Sequence, residues 1–304
     1  MPYQPDYFVP EERQAYTIVG QPREGWEGIG CLVLHGFMGA PVSSKPMARH
    51  IAQSGVTVHC PLLPGHGNLP FEIHGHKKEE WIAEVEEAYA RLNQQCDQIF
   101  LIGHSMGAVL AATLAHKHPE VCGLALLAPL YKVPDWRINF AAIGRFFLPW
   151  LYPLKHEAIE REIFLGRVTD FDPTIDVTDP ELQDWLVEAT RIPTDGLDEM
   201  RQMSAVGRKL WPRIHQPVII FQGGNDPAVS TSSTEKLFQE LPTADKEMKF
   251  FPQVGHELMR PVEPIHKKVW QKIDDFIEEH AQIGERTPTA LNAPSLMVRK
   301  DDGR

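Results

Sequence analysis

The pentapeptide Gly103-His104-Ser105-Met106-Gly107 constrains this chain more than any other feature. It follows an apolar run, 98–102, and precedes a helical run of small residues, 108–118. The order is strand, tight turn, helix, with a serine at the apex. On such a strained bend the serine hydroxyl stands clear of the sheet edge. A Cβ at either flanking glycine would strike the neighbouring strand or helix backbone. The five residues alone are a common pattern; the strand and helix around them make it specific.

The rest of the chain repeats the alternation. Apolar runs at 29–34, 56–60, 99–102, 123–128, 218–221 and 248–251 read as strands. Helices are expected over 46–53, 79–93, 234–241 and 262–280. In the second of these Trp81, Val85, Ala88, Tyr89 and Leu92 recur at three- and four-residue steps. Continuous apolar strands alternating with helices predict an α/β fold, a mostly parallel sheet covered on both faces. Ligands of such sheets bind beyond the carboxyl ends of the strands. The expected division is a core over 1–129 and 208–283, an insertion over 130–207, and a polar, disordered tail over 284–304. The insertion is rich in aromatics, prolines and acids and shows no clear strand, so several short helices are expected there as a cap.

With 304 residues and 42% hydrophobic content, the chain can bury a sizeable core. Its formal charge of -11 argues against nucleic acid and against an anionic membrane surface. Cys31, Cys60, Cys96 and Cys122 form no C-x-x-C pair and read as reduced thiols. No basic, apolar leader and no run of membrane-spanning length is visible, which sets a cytoplasmic, soluble protein as the expectation.

A serine hydroxyl becomes a nucleophile when a base takes its proton, and the usual base is a histidine oriented by a carboxylate. On an α/β sheet of this kind the chain order is serine, acid, histidine. Asp226 follows the 218–221 strand, and His256 follows the 248–251 strand. Taken singly, Asp226 reads as a turn residue, His256 as part of a surface loop and Ser105 as a helix N-cap. Together, in order and each at a strand end, they read as a catalytic set. Asp135 is the rival acid, with Asp195 and Asp198 behind it. The negative charge developing on a substrate oxygen needs donors in place. The backbone N–H groups of Met106, at the helix start, and Phe37, in the loop His35-Gly36-Phe37-Met38-Gly39, are the candidates. His35, His66 and His104 read as structural. No metal-ligand cluster and no phosphate-binding glycine loop stands out, and the chemistry requires no cofactor.

These motifs, with Pro64-Gly65-His66-Gly67, Gly223, Val229 and Gly255-His256, resemble the α/β-hydrolase superfamily of serine hydrolases, and within it the bacterial monoacylglycerol lipase and carboxylesterase group. The resemblance covers about residues 28 to 280. It implies a cap inserted after the sixth strand and an acyl-enzyme on Ser105, hydrolysed by water that His256 activates. The substrate class it implies is a small-molecule carboxylic ester of lipophilic type. Acyl transfer, thioester or amide hydrolysis and a non-catalytic receptor remain the alternatives. Ala108 stands where the group often has a second glycine, and Cys60-Pro61 where it often has an acid. The apolar stretch 140–151 suits an acyl channel, transient contact with a lipid surface, or packing on the core. Oligomeric state is not legible.

Overall fold

The interior strands are apolar at consecutive positions because the sheet they form is covered on both faces. Successive strand side chains point to opposite sides. In the computed structural model, Leu32 and Leu34 pack on one face with Leu101, Leu124, Leu126 and Ile220. Cys31 and Val33 pack on the other with Phe100, Ile102, Leu127 and Phe221. The structure describes residues 3–155, 165, 168, 174–261 and 264–283.

In chain order the described strands are β1 (Tyr16–Ile18), β2 (Ile29–Leu34), β3 (Thr57–Cys60), β4 (Gln98–His104), β5 (Gly123–Leu127), β6 (Trp150–Leu151), β7 (Ile192–Pro193), β8 (Val218–Gly223) and β9 (Lys246–Phe251). Seven form the main sheet, in the order β1-β3-β2-β4-β5-β8-β9. Every pairing in it is parallel except β1 with β3. The described α-helices are α1 (Lys45–Gln53), α2 (Lys78–Asn93), α3 (Met106–Lys117), α4 (Ala141–Gly144), α5 (Gln183–Ala189), α6 (Thr194–Leu210), α7 (Thr231–Glu240) and α8 (His266–His280).

Helices cover both faces. Trp81, Val85 and Leu92 of α2, with Val109, Leu110 and Leu114 of α3, enclose the first face. Met47 and Ile51 of α1, with Val269, Ile273 and Phe276 of α8, enclose the second. The expected α/β architecture is present, with several element ends moved. The last helix begins at His266 rather than 262, and residues 262–263 lie outside the described residues.

The 130–207 segment differs from expectation in three ways. It contains strand: β6 and β7 pair antiparallel, Trp150 opposite Pro193. Two-residue strands are too short to show a period, so the sequence pattern does not reveal them. It follows β5, the fifth described strand in chain order, not the sixth. Finally, α6 runs past 207 to Leu210 and packs on α3, where a Cβ on Gly207 would lie 3.1 Å from Val109 Cγ2. The expected disordered tail, 284–304, lies outside the described residues.

The polar N-terminal stretch is tied down. The Tyr7 hydroxyl donates to the His66 carbonyl at 2.7 Å, and Arg13 Nε donates to the Gly67 carbonyl at 2.8 Å. Among the described residues no helix is long and apolar enough to cross a membrane.

Candidate active site

Ser105 sits at the carboxyl end of β4 with φ 54° and ψ -115°. Such a backbone costs on the order of 1–3 kcal/mol and persists only where the surroundings enforce it. They do so on both sides of the residue. The Ser105 N–H donates to Leu127 O of β5 at 2.9 Å, and its carbonyl accepts from the N–H groups of Ala108 and Leu130, each at 3.1 Å. Its side chain makes no capping hydrogen bond to α3, so the hydroxyl is not spent on the helix. The turn is tight enough to demand both glycines. A Cβ on Gly103 would lie 2.5 Å from Ala108 Cα, and one on Gly107 would lie 2.0 Å from Leu34 O. Met38 and Ala128 are the other described non-glycine residues with positive φ, at 57° and 44°. All three follow the carboxyl ends of adjacent strands, β2, β4 and β5. Strain gathered on one edge is a mark of a functional site.

The same edge carries the acid and the histidine. Asp226, beyond β8, and His256, beyond β9, meet with Asp226 Oδ2 2.7 Å from His256 Nδ1. The Asp226 side chain is fully buried and the imidazole 14% exposed. Asp226 also behaves as a turn residue: its other oxygen, Oδ1, accepts from the N–H groups of Ala228 and Val229, both at 2.8 Å. One oxygen builds the loop and the other holds the ring. Burial pushes the Asp226 carboxyl up, but the hydrogen bond and charge of His256 and the two N–H groups outweigh it. The net effect holds Asp226 below the usual carboxylate range. With Nδ1–H donated to a carboxylate, Nε2 is left as an acceptor.

One supporting residue was not singled out from sequence. Gln222 is fully buried at the end of β8. Its Oε1 accepts from Thr234 Oγ1 at 2.6 Å, while Nε2 donates to the carbonyls of Gly223 and Val229. It braces the Asp226 turn from beneath. The signal was present: a buried-strand run ending Ile219-Ile220-Phe221-Gln222 places a polar amide at a core position.

Met106 is the first residue of α3, so its N–H has no carbonyl a turn earlier in the helix. Phe37 lies in the β2 loop, and among the described residues its N–H bonds to no main-chain carbonyl. The Gly39 N–H closes that loop on Gly36 O at 3.0 Å. His35 organises it. Nδ1 lies 3.0 Å from Gly36 O, and Nε2 accepts from the Leu63 N–H at 3.2 Å, joining the β2 and β3 loops. His66 Nδ1 bonds to Pro64 O at 2.9 Å.

These buried histidines carry a pH signature. Burial is the main cause that lowers His35 to about 4, with His104 and Arg13 acting in the same sense against the Gly36 carbonyl. His66 is lowered well below its ordinary value, again by burial first. In the unfolded chain a histidine titrates near 6.5. Between about 6.5 and 4 the unfolded chain therefore takes up protons that folded His35 refuses. Stability is expected to fall as pH drops through that window, at up to about 1.4 kcal/mol per pH unit for each such histidine. Urea melts at a series of pH values measure this; a flat profile between pH 7 and 5 would contradict it.

The rival acids are engaged elsewhere. Asp135 is exposed and grips the Arg137 guanidinium, Oδ2 to Nη2 at 2.6 Å. Asp195 binds His74 and the Gly75 N–H, and Asp198 is buried against Arg201 and Arg145. Among the described residues no three His, Cys, Asp or Glu side chains gather to hold a metal ion.

Comparison with known proteins places the chain in a family. Residues 30–263 match the family described as Serine aminopeptidase, S33. The thermostable monoacylglycerol lipase of Bacillus sp. (strain H-257) is 30% identical over 220 residues, 72% of this chain and 79% of that protein. The carboxylesterase of Bacillus subtilis (strain 168) is 22% identical over 249 residues, 82% of this chain and 92% of its own. Among solved structures, one from work on LipS and LipT, two metagenome-derived lipolytic enzymes, superposes with a TM-score of 0.72 at 23% identity, covering 90% of this chain and all of the other. The monoacylglycerol lipase of Paleococcus ferrophilus superposes with a TM-score of 0.66 at 18% identity, covering 88% of this chain and all of its own. The chain belongs to the Serine aminopeptidase, S33 family and is an α/β-hydrolase of the serine hydrolase type.

Proposed function

We propose that this protein hydrolyses lipophilic carboxylic esters through an acyl-enzyme on Ser105. His256 Nε2 takes the Ser105 proton as Oγ attacks the ester carbonyl carbon. The oxyanion that forms faces the N–H groups of Phe37 and Met106. Collapse expels the alcohol, which leaves with the proton from His256. Water, deprotonated by His256, then attacks the acyl carbon, and the acid departs as Ser105 recovers its proton. Asp226 keeps the ring in the Nδ1–H form and steadies the imidazolium. The observation that carries this reading is the 2.7 Å bond between Asp226 and His256 on the same sheet edge as the strained Ser105 turn.

The ester class rests on the relatives named monoacylglycerol lipase and carboxylesterase. The 130–207 segment acts as the cap in this reading. Its exposed Phe146 and Phe147, 72% and 84% accessible, supply transient contact with the lipid aggregates in which such esters collect. Cys31, Cys60 and Cys96, buried as thiols in the core, support a reducing compartment, the cytoplasm. Purified protein tested on p-nitrophenyl esters graded by acyl length, with a fluorophosphonate probe in parallel, checks the reading; no turnover and no label on Ser105 would refute it. Competing alcohols in the assay separate hydrolysis from acyl transfer. Asp226→Asn is expected to lower kcat by about 10³–10⁴-fold, because the Ala228 and Val229 N–H groups hold the amide oxygen and leave the NH2 group facing Nδ1, which forces the wrong tautomer. A loss under tenfold would remove Asp226 from its role.

A further inference from the structure

His104 precedes the nucleophile but points its ring at the histidine loop. The ring is buried, and Nε2 lies 3.1 Å from the main-chain oxygen of His256. A carbonyl can only accept, so Nε2 carries the proton and donates. The two rings stand 4.7 Å apart between centroids, tilted by 51°. His256 itself sits in an irregular segment after β9, where its carbonyl also accepts from the nearby Leu258 N–H, at 3.1 Å. Its imidazole is anchored at one atom, Nδ1, by Asp226. A ring held at one atom can still pivot, and a misplacement of about 1 Å can cost 10²-fold in rate.

We propose that His104 is a positioning residue: by bonding the His256 main chain it locks the histidine loop to the β4 turn that carries Ser105. The inference rests on the reading of Ser105 and His256 given above. One residue then spans the two halves of the machinery, since His104 and Ser105 are neighbours in the chain while His256 lies beyond the last strand. Burial lowers His104 from its ordinary value, so it stays neutral at pH 7. Neutrality suits the place, because His256 becomes positive in each half-reaction and a second cation at that ring spacing would oppose it.

The test compares two replacements of similar length, one with a donor and one without. In His104→Gln the amide N–H can reach the His256 carbonyl; in His104→Met nothing can donate. His104→Met is expected to lower kcat by about ten- to a hundredfold with KM changed less than about twofold. His104→Gln is expected to keep kcat within about threefold of the unaltered protein. Equal kcat in the two variants, or a loss that merely tracks a fall in thermal midpoint, overturns the proposal. If His104→Met does not fold, His104→Gln still decides it: a kcat more than tenfold down at an unchanged thermal midpoint overturns it, and a retained kcat supports it. Ser105→Ala run alongside separates the two failures. Turnover by that variant removes the underlying mechanism. An inactive Ser105→Ala beside a fully active His104→Met removes the role of His104 alone.

Discussion

Ser105→Ala is expected to abolish ester turnover while leaving the protein folded. On the proposed mechanism, removing one oxygen deletes the group that forms the acyl bond. Serine hydrolases that lose their nucleophile drop in kcat on the order of 10⁴–10⁶-fold, the residue of rate coming from the oxyanion donors and binding. Stability should hardly move. The side chain makes no capping bond to α3, and the main-chain bonds to Leu127, Ala108 and Leu130 survive the change. The measurement is p-nitrophenyl ester hydrolysis beside a thermal melt. Turnover within tenfold of the unaltered protein, at an unchanged melt, would mean the reaction runs elsewhere.

Gly107→Ala should fail for a different reason, and at the level of folding. The added Cβ would stand 2.0 Å from Leu34 O and 2.8 Å from His35 O. Both atoms are main chain at the carboxyl end of β2, so no rotamer change relieves the overlap. Either β2 moves away from α3 or the turn opens, and each breaks the packing of the central sheet. A cost above about 4 kcal/mol is expected, which for a chain of this size lowers the thermal midpoint by roughly 6 °C or more. Gly144→Ala is the control. Its Cβ would meet only Thr194 Cγ2, at 3.7 Å, in ordinary contact. If Gly107→Ala melted within 2 °C of the unaltered protein, the tight turn would not be the constraint it looks to be.

The sequence carried the centre of the fold better than its rim. β2, β4, β5 and β8 were readable because burial on both faces makes their apolar runs continuous. β1 was not, since its Tyr16, Thr17 and Ile18 lie partly in solvent at the sheet edge. β9 begins two residues before the apolar run 248–251, because Lys246 and Glu247 open an edge strand that is only partly buried. The candidate site was legible through order and place, each candidate lying within five residues of a strand end. What distance along the chain could not show was how the pieces brace each other. The second oxygen of Asp226 on its own loop, Gln222 beneath that loop, and His104 on the His256 carbonyl depend on atoms brought together from separate strands.

The last two strands bring a consequence for the protein during its own synthesis. The β4 turn is complete once β5 has paired, yet the imidazole arrives about 130 residues later. At ribosomal speeds of 5–20 residues per second, roughly 6 to 26 seconds separate them. Through that interval, on the proposed mechanism, the nascent polypeptide holds a hydroxyl with no base to take its proton, so it cannot attack acyl groups around it until the imidazole arrives.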